Sequence, residues 1–153
     1  MYTKEEEKDI KREFWEEFRR YCKQNKIRRR WLLNHISVSS SQLKFDANRE
    51  KAVVGIQVDH KKIPKKHLIF SYWEAYKVII EDSMGESLIW DKEYLSNDNR
   101  YVSFAYFKLD GVNFLNKNDW EKIFKFFAEK MIKIEDMYYE VGDSIVESIK
   151  NKS

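Results

Sequence analysis

A single cysteine, Cys22, leaves no intramolecular disulfide and no all-cysteine metal cage. One proline and four glycines exclude collagen-like and low-complexity chains. The glycines stand at 55, 85, 111 and 142, too far apart for a phosphate-cradling loop. Apolar runs such as Leu68-Ile69-Phe70 fall far short of a bilayer span. The start, Met-Tyr-Thr-Lys-Glu-Glu-Glu, has no apolar signal core, so a cytoplasmic, reducing setting without membrane contact is expected. What is present is a chain of 153 residues, 42% hydrophobic and 16% aromatic. That is enough apolar material for a core despite 36% charged residues, and the length suits one domain over 1–153.

The net charge of +3 is unevenly placed. Residues 1–67 hold 18 Lys and Arg against 10 Asp and Glu, a net +8; residues 68–153 hold 11 against 16, a net −5. Arg19, Arg20, Lys23, Lys26, Arg28, Arg29 and Arg30 run without an acid between them, and Lys61, Lys62, Lys65 and Lys66 form a second cluster. Tyr21, Trp31 and Tyr72 stand near these cations. Cations beside aromatics suit a phosphate backbone with an unstacked base, so Arg28–Arg30 and Lys61–Lys66 are the candidate nucleic-acid contacts. A solvated helix end and a charged turn are the plainer reading of the same residues, favoured by the small net charge.

Residues 4–24 predict an amphipathic helix with Ile10, Phe14, Phe18 and Tyr21 on one stripe, opened by Thr3 and Glu6 as a capping box. Gln42–Asp46 and Ala52–Asp59 predict two strands joined by a polar turn, with Gly55 marking a bulge or a close approach. A second helix is predicted from Pro64 or Lys65 to Ser83, with Leu68, Tyr72, Ala75, Tyr76, Ile79 and Ile80 inward and Gly85 as its stop. Ser87–Asp91 and Tyr101–Phe107 predict two further strands, the second apolar on both faces and so central. A final helix is predicted over 118–150. The order predicts an α+β fold: a mainly antiparallel sheet of four to five strands, packed by an N-terminal, a central and a long C-terminal helix.

Three segments together carry a resemblance: Glu13–Phe18 (Glu-Phe-Trp-Glu-Glu-Phe), Ile80–Trp90 with its Gly85-Glu86-Ser87-Leu88-Ile89-Trp90 end, and Asp119–Phe124 (Asp-Trp-Glu-Lys-Ile-Phe). In this order they resemble the bacterial and archaeal family known as domain of unknown function 4268. The resemblance implies no catalytic residues. Its members often follow a restriction-endonuclease-like domain, which points to DNA-related biology.

The enzymatic alternative is a Mg²⁺-dependent nuclease built on Asp46, Asp59 and Lys61, two acids and a lysine on neighbouring strands. Acid-x-Lys triples also occur at Glu6–Lys8 and Asp9–Lys11, which weakens the pattern. His60 and His67 flank four lysines, a poor setting for a metal, and no metal site or cofactor is expected. Cys22 reads as a small buried thiol, and Ser37–Ser41 lack a Gly-x-Ser-x-Gly turn. The leading expectation is a non-enzymatic interaction or assembly module with weak nucleic-acid association.

The last helix carries a heptad seam: Trp120, Phe124, Phe127, Met131, Ile134, Tyr138, Val141 and Ile145. Over residues 118–150 it is about 50 Å long, against about 40 Å for a domain of this size. Either the helix breaks near Gly142, or it lies along the first helix, or Tyr138, Val141 and Ile145 meet a second copy. A homodimer through this helix is the expectation, with Glu135, Asp136, Glu140, Asp143 and Glu147 facing the basic half of the neighbour.

Overall fold

The computed structural model describes residues 2–27 and 29–152. The element order is α1 (Lys4–Gln24), β1 (Ser41–Ala47), β2 (Lys51–Val58), α2 (Ile63–Ala75), α3 (Lys77–Met84), β3 (Ile89–Leu95), β4 (Tyr101–Asp110), a 3₁₀ turn (Lys117–Asp119) and α4 (Trp120–Lys152). The four strands form one antiparallel sheet in the order β1-β2-β4-β3, so the fold is α+β. The apolar β4 is central, as its sequence predicts.

Thr3 and Glu6 close the capping box at the start of α1. One sheet face, with Leu43, Ala52, Val54, Ile56, Val58, Ala105 and Phe107, joins the buried side chains of all four helices in one core. Phe14 of α1 meets Trp120, Phe124 and Phe127 of α4 at 5.5, 5.1 and 6.1 Å between ring centres. The opposite face carries Val53, Val102, Phe104 and Tyr106 with Tyr94 against them. β1 and β3 are opposite edges, yet Asn97 in the β3–β4 turn donates to the Ala47 carbonyl at 3.2 Å and accepts from Asn48 at 3.4 Å. The turn therefore curls across this face and shields its aromatics. Gly55 marks a close approach: a Cβ there would stand 2.2 Å from the Ala105 carbonyl oxygen.

The family-like segments are framework. Gly85 ends α3 with φ 73°, and Glu81 Oε2 accepts from the Leu88 N–H at 2.8 Å and the Trp90 indole at 3.1 Å. That carboxylate folds the glycine-to-tryptophan stretch back onto α3. Trp120 donates to the Phe114 carbonyl at 2.6 Å.

Two helical expectations are corrected. The predicted central helix divides at Tyr76 into α2 and α3, and its buried side is Ile69, Phe70, Trp73, Ile80 and Met84. Leu68 and Ile79, read as inward, are exposed, and so is Ala75. α4 runs unbroken through Gly142. Its second half lies on α2 and α3, not α1: Tyr76 Oη meets Ser148 Oγ at 2.8 Å, and Ser83 Oγ donates to Glu140 at 2.6 Å. Val141 and Ile145 are buried in this core.

Candidate ligand-binding site

A cavity of about 1010 Å³ opens between the second half of α1, the segment after it, and the edge strand β1. Its apolar wall is Trp15, Phe18, Trp31 and Phe45. Phe18 and Trp31 lie nearly parallel, 6.3 Å apart at 7°, and Phe45 meets Trp31 edge-on at 5.5 Å. Phe18 is buried, while Trp15, Trp31 and Phe45 are half-buried. Their exposed parts line the opening. Cys22 closes the floor; burial pushes its thiol pKa up against a bond to Trp31 that lowers it, so it is a packing thiol.

Cations edge the wall. Arg19, Lys23 and Lys26 line the cavity, are exposed, and make no ion pair among the described residues. Arg19 and Lys23 lie four apart, on one side of α1. Lys44 on β1 makes a long contact to Asp98, at 3.9 Å.

The segment carrying Trp31 is pinned from far along the chain. Glu135 of α4, 2% exposed, accepts from the Leu32 N–H at 2.7 Å and from Arg29 at 3.2 Å. Asp136 accepts from the other Arg29 nitrogen at 3.0 Å, and Tyr138 Oη accepts from the Ser37 N–H at 2.7 Å. The α4 acids thus meet the basic segment of their own chain. Gly142 gives the Tyr138 ring its place, since a Cβ there would stand 2.7 Å from it. Lys26 and Leu33, both lining the cavity, hold φ of 57° and 35°. Non-glycine residues at positive φ are strained and gather at binding sites.

The structure separates most of the residues singled out in the sequence. Arg28 lies outside the described residues. Arg29 is neutralised by the α4 acids, and Arg30 is exposed beside a second cavity of about 680 Å³ that shares Trp31. Lys61, Lys62 and Lys65 are exposed at a third opening or beside it, away from the aromatic wall. Lys66 is corrected: it is 2% exposed, donating to the Tyr101 carbonyl at 3.1 Å and pairing with Glu93 at 2.9 Å. Its charge is paired within the chain and holds α2 to the β3–β4 hairpin. Tyr138 is half-buried, and Val141 and Ile145 lie inside the chain.

The nuclease residues are not brought together. Asp46 pairs across the sheet with Val53, and Asp59 lies six residues beyond Val53, about 20 Å away along the strand. Asp59 pairs with Arg100. Burial pushes the Asp46 pKa up, opposed by hydrogen bonds from Asn97 and the Ala47 N–H. No group of three His, Cys, Asp or Glu gathers as a metal-ligand set among the described residues. No described helix is long and apolar enough to cross a membrane.

Residues 10–142 match the family described as Domain of unknown function (DUF4268), and the chain belongs to that family. No curated protein and no solved structure matches the chain.

Proposed function

We propose that this DUF4268 protein is a binding module, not a catalyst, and that the α1–β1 cavity receives single-stranded nucleic acid. The observation that supports it is the wall of Trp15, Trp31 and Phe45, edged by Arg19, Lys23 and Lys26 without carboxylate partners. A base stacks on the exposed ring faces, and the phosphates follow the cations on α1. This site uses the first half's positive charge but moves it from Arg28–Arg30 to Arg19 and Lys23 on the last two turns of α1 and to Lys26 just after it.

The test is fluorescence titration of a short single strand, with a duplex of the same sequence for comparison. Trp31→Ala should weaken single-strand binding by about 1–3 kcal/mol. Arg19→Ala with Lys23→Ala should weaken it and flatten the slope of log affinity against log salt by roughly 0.7 for each phosphate no longer neutralised. Affinity that ignores salt, or survives Trp31→Ala unchanged, overturns the reading.

A further inference from the structure

The exposed side of α2 and α3 carries a row of apolar side chains between charged ends. Ile63 is 57% exposed, Leu68 50%, Val78 73% and Ile79 55%, with Ser71 and Ala75 exposed between them. On α2, Pro64, Leu68, Ser71 and Ala75 share one side, opposite buried Ile69 and Trp73, as a period of 3.6 residues requires. Single exposed apolar side chains are ordinary; a continuous row of them marks a contact surface. The small residues at its middle would let another helix approach closely.

Charge on this face is polarised. Lys61, Lys62 and Lys65 are exposed at its start, and Glu74 and Asp82 are exposed toward its other end, beside one cation, Lys77. A second copy turned by a two-fold axis would lay the lysine end of each helix pair against the acidic end of the other. A phosphate-rich membrane would suit the lysines but oppose Glu74 and Asp82.

We infer that two copies of this chain associate through the outer faces of α2 and α3, in an antiparallel, two-fold arrangement. Leu68 and Val78 are the anchors, and the charged ends set the register. No residue of α2 or α3 lines the α1–β1 cavity, so a dimer through this face would keep both cavities open. The helix pair spans 22 residues, about 30 Å, which places the interface at the small end of specific contacts, where reversible dimers are found.

Sedimentation equilibrium of the full chain, from about 1 µM to about 500 µM, tests it. The expected result is a concentration-dependent dimer that Leu68→Glu and, separately, Val78→Glu shift to monomer by tenfold or more. Lys62→Glu with Lys65→Glu should weaken it, and adding Glu74→Lys with Asp82→Lys should restore it. Tyr139→Glu, at an exposed position on α4, should leave it unchanged. A monomer throughout, or a dimer indifferent to both Leu68→Glu and Val78→Glu, overturns the inference. So does a monomer that co-sediments through Leu68 with vesicles of phosphatidylserine in phosphatidylcholine.

Discussion

The second half of α4 and the outer side of α2–α3 both offer apolar rows at helical spacing, and the fold treats them in opposite ways. Val141 and Ile145 are covered by their own chain, while Leu68, Val78 and Ile79 stand in solvent. What separates them is geometry. The sheet supplies one core-facing surface, which α2 and the first half of α4 share, and the second half of α4 then closes over α2 and α3. A helix apolar on two sides can bury only one of them against a single layer.

The sharpest break of this comparison is Ile145→Asp against Leu68→Asp. An unpaired carboxylate at a fully buried site should cost about 4 kcal/mol or more and unfold the domain, whereas the same change at Leu68 should leave a folded chain. Denaturant titration of both checks it. Next in size is Glu135→Ala, which removes the charged acceptor for Leu32 and Arg29 and should cost about 2–3 kcal/mol. It should also weaken ligand binding in the α1–β1 cavity, because the Trp31 segment loses its anchor.

Glu86 tests the better-covered half of α4 through pH. Hydrogen bonds from Lys130 and Lys133 hold its carboxyl pKa below the usual value. A lowered folded pKa gives stability that is complete above the unfolded value and is lost as pH falls through the folded one. Glu86→Gln should therefore cost about 1 kcal/mol near neutrality and little in acid, read as converging melting curves. Smallest is Leu68→Ala, which should change monomer stability by less than about 0.5 kcal/mol while weakening any dimer.

Much of the candidate site is legible in the sequence as a cation run beside Trp31. Arg19 and Lys23 belong to that run, four residues apart, yet nearness along the chain to Trp31 favours Arg28–Arg30 over them. Arg29 cannot be discounted without knowing that Glu135 and Asp136, more than 100 residues away, fold back onto it. Phe45 gives no signal of its own, because its place in the wall depends on β1 lying beside α1. The same limit separates Asp46 from Asp59: neighbouring strands bring two acids close only if their register does, and here it holds them at opposite ends.

The sequence alone determined what depends on near neighbours. The capping box fixed the start of α1, apolar residues on both sides placed β4 at the centre of the sheet, and the 3.6-residue period defined α4. Those choices rest on local hydrogen bonds and on which side chains alternate. Only the tertiary structure decided which side of α2 is covered, where the end of α4 rests, and which cations keep their charge free. Each of these depends on surfaces brought together from distant parts of the chain, and periodicity gives a helix an apolar side without saying what will cover it.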